Sequence, residues 1–309
     1  MRALVTGGAG FIGSTLAQAL VDAGAQVSVV DDLSRGQRSQ VSDAADFHQL
    51  DIVDERLPAL VAAIAPEVVF HLAAQIDVRR SVADPVFDTR SNVLGTVNVL
   101  EACARAGVRR VVFASSGGAL YGDTTVLPTP ETHPCRPASA YGAAKLAGET
   151  YGSVFAQVHG LEFVALRYAN VYGPRQDPHG EAGVVAIFAQ RLLAGEDAVI
   201  NGDGTQTRDY VYVDDVVAAN LRAAQTAALG AYNIGTGVAR SVNELYELLA
   251  AASAVDRPAQ RGPAKPGEQR VSCLDVSRAG ALLDWQPRVA LDEGISRTVA
   301  WFAQRRGLQ

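Results

Sequence analysis

The chain has 309 residues, 48% of them hydrophobic and 19% charged, with a formal net charge of −6. This is a globular composition with ample length for a core, and its acidic balance argues against a nucleic-acid binder. Three scattered cysteines, Cys103, Cys135 and Cys273, fit neither a disulfide framework nor a zinc site and suit a reducing, cytoplasmic compartment, and no apolar run is long enough to span a membrane. Strand-like residues begin at Arg2 without a charged-then-apolar leader, so no signal peptide is expected. Residues 2–6 read as a short buried strand. Residues 11–23, with Ile12, Leu16 and Leu20 at helical spacing, read as a helix stopped by Gly24. Strands at 26–31 and 67–72 bracket a helix at 57–64. Asp84 and Pro85 read as N-cap and first-turn proline of a helix that runs to Gly107, followed by a strand at 110–115. Such repetition of short apolar strands and helices predicts a parallel sheet covered on both faces. A long helix at 139–158 and a strand at 161–167 follow. Beyond them the alternation breaks. Residues 173–183 read as loop, Asn201-Gly202-Asp203-Gly204 as a turn, Ser241 with Glu244 as a capping box before a helix at 245–252, and 258–267 as an irregular linker.

Gly7-Gly8-Ala9-Gly10-Phe11-Ile12-Gly13 lies between the first strand and the first helix. Glycines at this G-x-x-G-x-x-G spacing let the backbone turn sharply and approach a pyrophosphate, whose charge a helix N-terminus favours. Asp31 and Asp32 close the second strand. A carboxylate there accepts hydrogen bonds from ribose hydroxyls and repels a 2′-phosphate, which favours NAD over NADP. Asp31, which ends the apolar run, is the preferred ligand; either aspartate can instead act as a turn cap. Asp51-Ile52 can border an adenine, although the pair alone reads as ordinary surface. The expected architecture is α/β. A Rossmann-type doubly wound parallel sheet occupies 1–167, with 209–235 returning to it; a smaller mixed α/β substrate-binding domain takes 168–208 and 236–309.

Tyr141 and Lys145 stand four apart and so share one helix face. To act as a base near neutrality, a phenol must lose about three pKa units, roughly 4 kcal/mol, and a neighbouring ammonium and a cationic nicotinamide both push that way. Y-x-x-x-K is a loose pattern by itself, but Lys145 is one of only two lysines in the chain. Ser115 and Ser116 follow the fourth strand, where a serine can bond a substrate hydroxyl and relay its proton, or simply make a turn.

Several further segments extend the pattern. They are T-G-G-A-G-F-I-G at residues 6–13, His71-Leu72-Ala73-Ala74, Asn92, the Ser116, Tyr141 and Lys145 set, Arg167-Tyr168-Ala169-Asn170, and T-R-D-Y-V-Y-V at 207–213. With them the chain resembles, over nearly its whole length, the extended short-chain dehydrogenase/reductase family in its NAD-dependent nucleotide-sugar epimerase/dehydratase branch. The resemblance implies NAD held by Gly7, Gly10, Phe11, Ile12, Gly13, Asp31, Asp32, Ser34, Asp51, Ile52, Leu72, Ala73, Ala74, Asn92, Ser115, Tyr141, Lys145 and Tyr168. It implies a UDP-sugar held by Ser116, Tyr141, Asn170, Val184, Asn201, Arg208, Lys265, Glu268, Arg270 and Ser272. Lys265 stands where the family's R-x-G-D segment has arginine, losing the bidentate fork, and Asn201 where relatives often carry an aromatic residue near the uracil. Ser272 is small at a position that bounds the sugar pocket, which implies tolerance of an acetamido group. Dehydrating relatives carry an Asp-Glu pair after the serine; here Gly117, Gly118 and Ala119 follow Ser116.

The activity implied is 4-epimerisation of a UDP-hexose, UDP-glucose to UDP-galactose, through a transient 4-keto sugar, with Ser116, Tyr141 and Lys145 catalytic. The alternatives are another nucleotide sugar, N-acetylated or uronic, and a non-catalytic NAD-binding scaffold. The family also implies a homodimer through helices 84–106 and 139–158, where Gly95, Ala143, Ala147 and Gly148 permit close contact or serve packing within the monomer.

Overall fold

Ala3 and Val5 of the first strand pack into one apolar cluster and Leu4 into another, so the strand is buried on both faces. The computed structural model describes residues 1–178, 183–264 and 269–306. Along the chain come β1 (Arg2–Thr6), α1 (Phe11–Asp22), β2 (Gln26–Asp31), β3 (Asp46–Gln49), α2 (Leu57–Ile64) and β4 (Val68–His71). Next are α3 (Val78–Ala83), α4 (Pro85–Thr89), a π-helical turn at Arg90–Leu94, α5 (Gly95–Arg105), β5 (Arg110–Ser116), α6 (Gly117–Leu120) and α7 (Ala140–His159). They are followed by β6 (Glu162–Tyr168), β7 (Asn170–Tyr172), α8 (Val184–Leu193), β8 (Val199–Asn201), β9 (Thr207–Tyr212), α9 (Val213–Ala223) and β10 (Gly230–Ile234). The chain closes with β11 (Ala239–Ser241), α10 (Val242–Ala252), β12 (Gln260–Gly262), α11 (Ser277–Leu283) and α12 (Leu291–Arg306).

Among the described residues, seven strands form one sheet in the order β3-β2-β1-β4-β5-β6-β10, with every pair parallel. Helices α1, α9 and α11 contribute Leu16, Leu20, Val216 and Leu283 to the cluster on one face. Helices α2 and α5 contribute Leu57, Val61, Val99 and Leu100 to the other. This is the doubly wound Rossmann arrangement. A third cluster unites Phe188 of α8, Leu245 and Leu249 of α10 and Ile295 and Val299 of α12 beside the smaller β7-β9-β11 sheet. Within 209–235, β10 joins the large sheet beside β6, whereas most of β9 pairs with β7 and β11.

One expectation changes, and one open alternative is decided. The helix over 84–106 is interrupted by the π turn, which coincides with Asn92 turning its buried side chain toward Gln75 and Asp88. Gly95 and Gly148 serve packing within the chain: an added Cβ would lie 2.5 Å from Ile52 at the first and 2.6 Å from Phe113 at the second. No described helix is long and apolar enough to cross a membrane, and the three thiols are unpaired.

Candidate active site

Strand order reverses between β1 and β4, so the loops leaving these neighbours diverge and open a crevice at their C-terminal ends. The glycine turn leaves β1 and Leu72-Ala73-Ala74 leaves β4. Gly7 has φ +70°, and a Cβ there would lie 2.6 Å from Ala73 N, so the two loops meet as bare backbone. Gly10 is the N-cap of α1, without a side-chain cap or an acidic residue in the first turn. The helix N-terminus therefore offers its unpaired N–H groups to the cavity. That cavity measures about 1180 Å³, larger than the roughly 300–1,000 Å³ of a pocket for one small ligand.

Asp31, at the end of β2, is buried and lines the cavity. Its Oδ2 accepts from Ala9 N (2.9 Å) and its Oδ1 from Leu33 N (2.9 Å), so it also braces the glycine turn. Burial raises its pKa, against the lowering effect of those two bonds. Asp32 and Ser34 line the wall nearby, with the Ser34 hydroxyl donating to Asp32 Oδ1 at 2.6 Å. Phe11, Ile12, Gly13, Asp51 and Ile52 also border the cavity.

Ser116 ends β5 and Tyr141 stands in the first turn of α7. Lys145, one turn on and buried, donates from Nζ to Ala114 O at 2.8 Å and lies 5.8 Å from the centre of the Tyr141 ring. All three line the cavity. Burial pushes the phenol up to about 12, opposed by Ser116 and reinforced by Asp88. Burial also pushes Lys145 down to about 8, opposed by Asp88 and Glu149. The protein by itself thus holds Tyr141 as the neutral phenol, contrary to the downward shift its spacing to Lys145 predicts. Desolvation outweighs an ammonium already bonded to a carbonyl.

The remaining sequence-predicted residues divide. Tyr168, Asn170 and Arg208 line the cavity, and Tyr168 is tied by its hydroxyl to Asn220. Ser115 also lines it, but its hydroxyl donates to Glu149 Oε1 at 2.6 Å. Asn92 is turned away, its amide bonded to Gln75 and Asp88. Val184, Asn201, Arg270 and Ser272 are not among the described residues that line the cavity. Arg270 reaches Thr205 Oγ1 (2.8 Å), and Ser272 is buried, its N–H donating to Thr207 O. Lys265 and Glu268 lie outside the described residues. Gln75, Gln269 and Trp301 line the cavity without having been expected. Only Gln75, next to the H-x-A-A segment, carries a local signal.

His71 ends β4 behind this wall, its Nδ1 2.7 Å from Thr6 Oγ1 and its Nε2 3.0 Å from Thr96 Oγ1. Burial depresses it from 6.5 to about 3, with Lys145 adding to the effect. The unfolded chain therefore binds a proton that the folded chain refuses. His71 imposes no penalty above pH 6.5, and stability falls by up to about 1.4 kcal/mol per pH unit as pH drops toward 3. Urea unfolding from pH 7 to 4 should show a shallower loss in His71→Asn than in wild type; equal slopes would remove His71 from the acid response.

A family model described as the NAD dependent epimerase/dehydratase family matches residues 3–235. The chain belongs to this family. It is 51% identical to a UDP-glucose 4-epimerase of Mycolicibacterium smegmatis, over 99% of both chains. Its fold matches the UDP-glucose 4-epimerase of Thermotoga maritima, solved with UDP-glucose, at TM-score 0.97 and 47% identity, covering 100% of both chains. It also matches the UDP-glucose 4-epimerase of Thermus thermophilus, solved with NAD, at TM-score 0.93 and 45% identity, covering 98% of this chain and 99% of that one. The cradle fits the family's cofactor. Bare backbone at Gly7 and Gly13 and the uncapped α1 N-terminus suit a pyrophosphate, and the cavity-facing Asp31 carboxylate suits a ribose without a 2′-phosphate.

Proposed function

We propose that the chain catalyses NAD-dependent 4-epimerisation of a UDP-hexose, interconverting UDP-glucose and UDP-galactose. One observation carries this reading: Ser116 and Tyr141 sit with Lys145 on the cavity wall, and only Gly118 and Ala119 border the cavity directly after Ser116. Tyr141, directly or through Ser116, takes the proton of the sugar 4-hydroxyl and returns it after that carbon has inverted. NAD⁺, when bound, supplies a reversible two-electron acceptor and a cationic ring that favours the phenolate. Arg208 and Asn170 line the cavity and offer a cation and an amide to the diphosphate. Elimination from the sugar lacks a proton carrier at the glycine and alanine beyond Ser116.

The test supplies UDP-glucose, UDP-galactose, UDP-N-acetylglucosamine and UDP-glucuronate to purified protein without added NAD. Interconversion of the first two should be fastest. Preference for an acetylated or uronic sugar would move the assignment within the family, and no turnover on any of them would leave an NAD-binding protein without catalysis. Because Ser272 is packed against Thr207, acceptance of the acetamido sugar has to be decided by this panel.

We also propose a homodimer through the outer face of α4, α5 and α7. Val86 of α4 (78% exposed), Leu94 of the π turn, and Val154 and Val158 (68%) of α7 are exposed apolar side chains on these elements. A monomer in sedimentation at micromolar concentration would refute it.

A further inference from the structure

Arg35 follows β2 in a loop that lies against the glycine turn. A Cβ at its neighbour Gly36 would stand 2.8 Å from both Ala9 Cβ and Asp31 Oδ1, and Gln37 N–H donates to Ala9 O at 3.0 Å. The acids nearest in the chain are engaged locally, Asp31 by the N–H groups of Ala9 and Leu33 and Asp32 by Ser34. The Arg35 guanidinium instead meets two carboxylates from other loops. Its Nη2 lies 3.6 Å from Asp77 Oδ2 and its Nη1 3.6 Å from Asp177 Oδ2. Asp77, after β4, is firmly anchored. Its Oδ1 caps α3 by accepting from Arg80 N–H (3.0 Å), its own N–H donates to Gln75 Oε1 (2.6 Å), and Oδ2 is the oxygen that meets Arg35. Asp177 follows β7 and stands beside Gln176, whose amide donates to Val171 O at 3.0 Å. Arg35, Asp77 and Asp177 all line the cavity.

In the large sheet β2 and β4 are the two neighbours of β1. An ion pair between the loops that leave them spans the C-terminal end of β1, where the glycine turn and the α1 N-terminus form the cradle. We propose that Arg35, held by Asp77 and Asp177, is a clasp across this cradle that retains the dinucleotide from one turnover to the next. The third anchor, on the loop after β7, ties the clasp to the strand that carries Asn170. Release of the dinucleotide then requires the two ion pairs to part. The side chains of Arg35 and Asp177 are about half exposed and that of Asp77 a quarter, so salt screens both pairs and each contributes little alone. Their effect comes from meeting at one guanidinium, which joins three loops. The clasp concerns the family's dinucleotide and holds whichever sugar is turned over.

The test charges purified holoenzyme with radiolabelled NAD, chases with excess unlabelled NAD and follows the bound label with time. Arg35→Gln should release it about three- to tenfold faster than wild type. Asp77→Asn, which keeps the acceptor that caps α3, and Asp177→Asn should each speed release by a smaller factor. Adding both aspartate changes to Arg35→Gln should speed it no further, because the aspartates act only through the arginine. Wild-type retention in Arg35→Gln overturns the proposal. So does fast release in Arg35→Gln beside unchanged or slower release in both aspartate variants, which would make the arginine a direct ligand of the dinucleotide. Should a variant not fold, the wild type decides: molar KCl should speed its release, and release insensitive to salt overturns the clasp. Parallel assays on the UDP-sugars separate the two readings. Retention that depends on Arg35 in a protein without turnover refutes the epimerase reading and keeps the clasp; turnover with release unchanged in Arg35→Gln does the reverse.

Discussion

Tyr141→Phe should lower the rate of epimerisation by roughly 10²–10⁴-fold while leaving the fold and the bound NAD in place. The phenyl ring keeps the volume of the native side chain, so α7 and β5 have no reason to move. What disappears is the hydroxyl, and with it the proton acceptor. Ser116→Ala should cost less, because Tyr141 can still reach the substrate hydroxyl directly. Rates are measured as conversion of UDP-galactose to UDP-glucose, with dinucleotide content determined on denatured protein. A Tyr141→Phe enzyme within a few-fold of wild type would remove this phenol from the mechanism. A Tyr141→Phe enzyme that is slow but has lost its NAD would place the residue in binding instead.

Gly13→Ala should act on cofactor retention rather than on proton transfer. A Cβ at Gly13 would stand 2.1 Å from Gly7 O and 2.8 Å from Gly7 C. Both are backbone atoms of the turn that meets Ala73, so relief requires opening the cradle itself. Overpacking of this kind typically costs about 1–3 kcal/mol, which corresponds to roughly fivefold to more than 100-fold in NAD affinity if the distortion falls on the site. The purified variant should release far less dinucleotide on denaturation than wild type and should regain rate when NAD is added in excess. Full NAD content together with a wild-type melting temperature would show that the turn tolerates the methyl group.

The two variants also mark where local pattern was informative. Gly13 could be read from spacing alone, because a strand, a glycine turn and a helix are adjacent in the chain and the steric demand is local. The same holds for α1, α2, β4 and β5, whose apolar periods match the buried positions. Other elements escaped for identifiable reasons. In β3 the Asp46–Gln49 stretch offers a single strongly apolar residue, and it pairs with β2 only because the sheet edge is there to receive it. In α8 the run Val184–Leu193 buries Val185, Phe188 and Leu192 against α10 and α12, partners more than 50 residues away.

The sequence by itself determined the alternation that builds the parallel sheet, the glycine turn at its first crossover, and the placing of Tyr141 and Lys145 on one helix face. These follow from steric freedom and helical period, which act between near neighbours. Only the tertiary structure decided the charges. Lys145 and Tyr141 are driven toward their neutral forms because the folded chain removes water from both. It also tied the Asn92 amide to Gln75 and Asp88 and the Ser115 hydroxyl to Glu149. Desolvation and long-range hydrogen bonding depend on which distant segments come to surround a side chain, and spacing along the chain carries no record of that.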